Sequence, residues 1–125
     1  MTDTTRVTSD SLEQFTAEVF RNAGLQVEDA AYCAACLVQT NLWGIDSHGV
    51  LRLPIYAQRV RTRAINPRPT MTIATGAMGM ELLDGEDGMG FLVGRKAMQR
   101  AIQLAEQYSV GVVLSLIHIS EPTRR

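Results

Sequence analysis

The sequence predicts an α+β protein: a helical part first, then the start of a mixed sheet. Three observations carry this expectation. Apolar residues recur at helical spacing through most of residues 10–63. Asn66-Pro67-Arg68-Pro69 then holds the chain extended and marks a boundary. Beyond it, short β-prone runs at 71–75 and 80–84 are separated by Gly76 and Gly79. A helical pattern over 91–108 and a third β-prone run at 110–113 follow. The expected division is a helical subdomain over 1–66, an α/β part over 67–113, and a tail at 114–125.

Each element has its own signal. Asp10 with Glu13 reads as a capping box, the acceptor at N-cap and the carboxylate three residues on satisfying free N–H groups. Leu12, Phe15, Val19 and Phe20 supply the apolar side of that helix, and Gly24 its stop. A second helix over 28–42 carries Glu28 and Asp29 in its first turn, where the helix dipole favours acids. Its alanines, with Cys33 and Cys36, suit close packing. Zinc would need a second ligand pair, and a redox CxxC an exposed helix start after a strand, so buried reduced thiols are expected.

Gly44 ends the second helix, and Ser47 is a plausible cap for a third that carries Leu51, Leu53, Ile55 and Val60. Pro54 is tolerated in a first turn but not in a helix interior, which puts the regular start near 50–53 or bends the helix there. In the second half, 85–90 reads as a turn-rich loop. Leu92, Met98, Ala101, Ile102 and Ala105 are the expected apolar side of the last helix.

Composition narrows the function classes. With 46% hydrophobic and 20% charged residues the chain is not broadly disordered. A formal net charge of −1 gives no electrostatic case for nucleic acid or an anionic membrane surface. No apolar run reaches the length of a bilayer span, and the first residues lack the order of a signal peptide, so a cytoplasmic protein is expected. Residues 114–125 resemble an in-frame translation of a sequencing adapter, with a genuine strand as the plainer alternative. On the adapter reading the natural protein is longer and His118 is not native.

The segment Gly44-Ile45-Asp46-Ser47-His48-Gly49-Val50-Leu51-Arg52-Leu53-Pro54-Ile55-Tyr56 concentrates the candidate chemistry. Arg52 can grip a carboxylate through paired N–H donors, a geometry lysine lacks. His48 can donate to a hydroxyl or keto oxygen, or move a proton near neutral pH. His48, Arg52 and Tyr56 stand at i, i+4 and i+8, on one face if the turn is continuous. On pattern alone the commoner account is a capped helix start with a solvated arginine and histidine. The glycine loop Asp84-Gly85-Glu86-Asp87-Gly88-Met89-Gly90 is not G-x-G-x-x-G, and its acids would repel a pyrophosphate. It fits a tight strand-to-helix connection.

Taken together, Gly24-Leu25, Asp29-Ala30, Gly44 to Gly49, Arg52-Leu53-Pro54 with Tyr56, Ile65-Asn66-Pro67, Asp84-Gly85, Gly90, Ala97-Met98, Ala101-Ile102, Ala105 and Gly111-Val112-Val113 resemble the malate/L-lactate dehydrogenase family that lacks a Rossmann fold. The resemblance implies a longer protein, usually a homodimer. A helical part would precede a mostly antiparallel α/β nicotinamide-binding domain, of which 67–113 is the truncated start. It implies hydride transfer between NAD or NADP and a 2-keto acid, 2-hydroxy acid or imine. Carried over by position, Arg52 would pair with the substrate carboxylate and His48 would be catalytic, contacting the reacting end or the carboxylate. Ser47 and Tyr56 would complete the polar wall. The family's second histidine, a proton-transfer candidate in an Asn-Ser-x-His pattern, and most cofactor contacts would lie beyond 113. No metal is implied.

Two positions depart from the family pattern. Arg63 stands where glycine is frequent, which would strain the backbone if φ is positive there. Trp43 stands where arginine is frequent. The competing reading is a non-catalytic helical module binding an acidic partner through Arg52, Arg59 and Arg61.

Overall fold

The N-cap of helix α1 (Ser9–Ala23) lies two residues before the expected one at Asp10. Thr8 is the N-cap: its Oγ1 accepts from the Ser11 backbone N–H at 3.2 Å and donates to Ser11 Oγ at 2.8 Å. Starting at Thr8 leaves Asp10 in the first turn, where its charge still meets the positive end of the helix dipole. The buried side is Thr16 and Phe20, whereas Phe15 is 58% exposed. Thr16 is tolerated inside because its hydroxyl donates to the Leu12 carbonyl at 2.7 Å. This structure, a computed structural model, describes residues 5–116. His118 and the rest of the expected tail past Leu116 lie outside the described residues.

Helix α2 (Val27–Leu42) packs on α1 through Ala30, Cys33, Ala34, Leu37 and Val38, a strict i, i+3, i+4, i+7, i+8 stripe. Small residues at 30, 33 and 34 let the two backbones approach. Leu37 is fully buried, and truncating it to alanine would cost about 2–5 kcal/mol. Cys33 is buried, as the sequence suggested, whereas Cys36 is half-buried. α2 closes with a Schellman motif. The Gly44 N–H donates to the Asn41 carbonyl at 2.8 Å and the Ile45 N–H to the Thr40 carbonyl at 3.1 Å. Gly44 takes φ +79°, which explains glycine there.

Two short 3₁₀ turns, Asp46–His48 and Val50–Arg52, then lead into α3 (Leu53–Arg61). Pro54 sits in the first turn of α3, where no intrahelical N–H is required. Leu53, Ala57 and Val60 form its buried side, while Leu51 and Ile55 are exposed. These elements make up the first of two units, Met1–Arg63.

The second unit, Ala64–Arg125, holds a three-stranded sheet and one helix among its described residues. Strands β1 (Thr72–Ala77) and β2 (Met80–Asp84) pair antiparallel across the tight turn Met78-Gly79, with a register shift between Ile73 and Thr75. Both turn residues have positive φ, the backbone that two-residue hairpin loops require. Helix α4 (Gly90–Tyr108) crosses over to β3 (Val112–Leu116), which pairs parallel with β2. The strand order is β1-β2-β3, so the fold is α+β with a mixed sheet, as expected. β3 continues past 113, with Leu114, Ser115 and Leu116 in register against Leu82, Leu83 and Asp84.

The core of this unit includes Leu83, Met89, Leu92, Val93 and Leu104. The apolar side expected for α4 is partly wrong: Met98 and Ile102 are 62% and 53% exposed. The inward line is Val93, Ala97, Ala101, Leu104 and Ala105, one of several apolar stripes the sequence allows. Gly111 explains the alanines. A Cβ there would overlap the Ala101 carbonyl, so strand and helix backbones are in direct contact.

Candidate substrate site

The segment 46–52 is shaped by what precedes and follows it. The Schellman end of α2 turns the chain, and Asp46–His48 closes one 3₁₀ turn with the His48 N–H on the Ile45 carbonyl at 3.1 Å. Gly49, at φ −89° and ψ −143°, breaks the helical path before Val50–Arg52 forms the next turn. Ser47 therefore lies inside a 3₁₀ turn and caps no helix, since the N-cap of α3 is Arg52. The break at Gly49 also removes the expected common face. Arg52 and Tyr56 remain one continuous helical turn apart, but His48 belongs to a separate turn.

Hydrogen bonds restore the link that periodicity does not provide. Arg52 Nε donates to the Ser47 backbone carbonyl at 2.8 Å. Ser47 Oγ and His48 Nδ1 lie 2.8 Å apart. With Nε committed to the backbone, the end-on mode through the two terminal NH₂ groups is the one suited to a carboxylate. If the serine hydroxyl donates to Nδ1, the neutral ring carries its proton on Nε2 and can donate to a substrate oxygen. The opposite tautomer makes Nε2 an acceptor. Ser47, His48 and Arg52 are exposed and Tyr56 is half-buried.

One residue of this region carried no sequence signal. Asn41, in the last turn of α2, donates through Nδ2 to Asp46 Oδ1 at 2.7 Å and accepts at Oδ1 from the Val50 N–H at 2.8 Å. A helical asparagine has no motif that announces such a role, because its partners lie five and nine residues away across an irregular turn.

The glycine loop makes no dinucleotide cradle. Glu86 and Asp87 take φ of +49° and +56°, and the Gly88 N–H closes on the Gly85 carbonyl at 2.8 Å. Glu86 Oε2 accepts from the Thr70 N–H at 2.7 Å, Asp84 Oδ1 from the Glu86 N–H at 2.9 Å, and the Asp87 carbonyl from the Asn66 N–H at 2.8 Å. A Cβ at Gly85 would run into the Leu116 carbonyl and Val93, and one at Gly88 into Pro69 and the Gly85 carbonyl. Protein occupies the space that a pyrophosphate would need, as expected of a strand-to-helix connection. Among the described residues this loop therefore offers no pyrophosphate cradle. The described residues also contain no cluster of potential metal ligands and no helix long and apolar enough to cross a membrane.

An ion pair lies in the second unit. Glu81 accepts from Arg100 through both carboxylate oxygens, at 2.6 and 2.7 Å. That hydrogen bonding holds the Glu81 carboxyl below its ordinary range; burial opposes the shift and the guanidinium charge adds to it. The pair joins β2 to α4 and is structural.

Comparison with known proteins places this arrangement in a family. The malate/L-lactate dehydrogenase family model matches residues 7–116. The malate dehydrogenase of Pyrococcus abyssi is 38% identical over 108 residues, covering 86% of this chain and 30% of that protein. The L-sulfolactate dehydrogenase of Methanocaldococcus jannaschii is 38% identical over 96 residues, covering 77% of this chain and 28% of its own length. Among solved structures, the malate dehydrogenase of Pyrococcus horikoshii superposes with a TM-score of 0.85 at 33% identity, over 89% of this chain and 32% of that one. The chain thus spans about a third of the length of these relatives. Sequence and backbone agree over nearly all of the described residues, and the chain belongs to the malate/L-lactate dehydrogenase family of oxidoreductases.

Proposed function

We propose that this chain supplies the substrate-holding part of an oxidoreductase that interconverts a small 2-keto acid, or a related imine, with its reduced form. The observation that carries the reading is the Ser47–His48–Arg52 arrangement, a tethered guanidinium beside a histidine ring, in a chain of this family. The NH₂ groups of Arg52 take the substrate carboxylate end-on. His48 presents Nε2 to the oxygen at the adjacent carbon, donating as the keto group is reduced and accepting as the hydroxyl is oxidised. Ser47 Oγ accepts from Nδ1–H, so the ring donates from Nε2 as the imidazolium and the neutral ring left behind accepts there in the reverse direction, while Tyr56 adds a polar wall from α3.

Relatives named for malate, sulfolactate and ureidoglycolate support a carboxylate-bearing substrate of few carbons. The family resemblance supports NAD or NADP as the hydride partner and a homodimer as the working state. The described residues contribute the carboxylate grip and a proton-bearing ring, not the nicotinamide's site. Activity accordingly belongs to a chain of the relatives' length, and the 125 residues alone turn over no substrate.

The test is a spectrophotometric assay of NADH and NADPH oxidation with a panel of 2-keto acids, using the enzyme at the relatives' length and the 125-residue chain in parallel. The reading expects turnover by the longer protein only. An inert longer protein across the panel, or turnover by the short chain, would overturn it.

A further inference from the structure

We infer that Asn41 is a positioning residue for this site: one carboxamide on the rigid end of α2 fixes both ends of the tripeptide that carries Ser47 and His48. The inference rests on the substrate-site reading above and deepens it. Nδ2 holds Asp46, the residue before the tripeptide, at 2.7 Å, and Oδ1 holds the N–H of Val50, the residue after it, at 2.8 Å. The two contacts also decide the amide's orientation, since a carboxylate needs a donor and a backbone N–H an acceptor.

Gly49 supplies an independent observation. It is buried, and a Cβ on it would overlap the Asn41 carboxamide, with Oδ1, Cγ and Nδ2 all in conflict. The backbone between His48 and Val50 is therefore seated directly on this side chain. Any larger residue at 49 would lift the segment off α2. The contact has a consequence for Arg52, because the carbonyl that tethers Nε belongs to Ser47, inside the clamped tripeptide. A displacement of 47–49 moves the histidine ring and the guanidinium tether together. Asparagine suits the position because one short planar group offers a donor and an acceptor on opposite sides. Misplacing reacting groups by about 1 Å is enough to lower a rate ~100-fold.

The experiment compares Asn41→Leu, Asn41→Asp combined with Asp46→Asn, and Arg52→Ala in the enzyme at the relatives' length, well below the melting temperature of each. In parallel, Val50 amide exchange is followed by NMR in the 125-residue chain. Leucine keeps the size but removes both hydrogen bonds, whereas aspartate keeps an acceptor for the Val50 N–H. Asn41→Leu is expected to lower kcat/KM for a 2-keto acid about 10–100-fold in the folded enzyme. It is also expected to speed Val50 exchange at least about tenfold. Asn41→Asp combined with Asp46→Asn, which exchanges the donor and acceptor of the Asn41–Asp46 bond instead of setting two carboxylates against each other, recovers most of both losses, a rescue that a purely space-filling role would not produce.

If Asn41→Leu keeps its kcat/KM, or leaves Val50 exchange unchanged, while Arg52→Ala loses activity, the positioning role is wrong and the substrate site stands. If Arg52→Ala keeps full activity, the substrate-site reading falls and the assignment of Asn41 falls with it.

Discussion

Arg52 donates its Nε–H to the backbone carbonyl of Ser47 at 2.8 Å, so the guanidinium is tied to the turn that carries His48. The tie limits how the side chain can rotate and leaves its end-on face for a carboxylate. Lysine has no fork with which to hold the carbonyl and grip a substrate at once. Arg52→Lys should therefore lower kcat/KM for a 2-keto acid by about 10–100-fold despite keeping the charge. Steady-state kinetics on the enzyme at the relatives' length checks this, and a lysine variant within twofold of the original would show that only charge matters.

The contact between Asn41 and Gly49 predicts non-additivity. Gly49→Ala alone drives a methyl group into the Asn41 carboxamide and should destabilise the first unit by about 1–3 kcal/mol. In an Asn41→Ala background the obstruction is gone, so the same substitution should cost markedly less. A double-mutant cycle on thermal or urea unfolding measures the coupling. Equal costs in the two backgrounds would mean that Gly49 is required for another reason.

Arg63 follows α3 with φ +64°, a left-handed backbone for a residue with a Cβ. The family resemblance suggested strain at this position, and the backbone bears out its condition. Arg63→Gly removes the steric cost and adds freedom to the unfolded chain, and the first effect is the larger. The variant should gain about 0.5–1 kcal/mol, visible as a raised Tm. A lowered Tm would show that the arginine side chain contributes more than its backbone costs.

The Glu81–Arg100 pair predicts an acid dependence of stability. The Glu81 carboxyl titrates lower in the folded protein than in the unfolded chain, so the unfolded state binds its proton first as pH falls. The pair's contribution is therefore complete above the ordinary glutamate range, near about 4.3, and is lost as pH falls through the depressed folded value. Glu81→Gln should lower the Tm at neutral pH, and the difference from the original chain should narrow on acidification. A gap independent of pH would assign the effect to packing.

Much of the fold was legible because periodicity reports burial. The close-packed second helix, the two strands flanking Gly79 and the helix ending at Tyr108 follow from residue type and spacing, although Gly76, read as part of the connection, lies inside β1. The failures have local causes. Thr8 caps α1 in place of Asp10, bonding both the backbone N–H and the hydroxyl of Ser11, a contact that residue type alone does not announce. On α4 the sequence offers several apolar stripes, and the close approach of Gly111 to Ala101 chooses the alanine-lined one over Met98 and Ile102. In the candidate site, Ser47, His48 and Arg52 were legible as chemistry but not as geometry. The i, i+4 argument assumed a continuous helix, and Gly49 breaks it because the Asn41 side chain occupies the adjoining space.

The central claim is that Arg52 binds the substrate carboxylate. The most direct measurement is kcat/KM for a 2-keto acid by the Arg52→Ala enzyme at the relatives' length, with and without added guanidinium ion. The account predicts a fall of about 100-fold or more and a partial, saturable recovery as guanidinium fills the vacated position. Activity of the alanine variant equal to that of the original enzyme would contradict it.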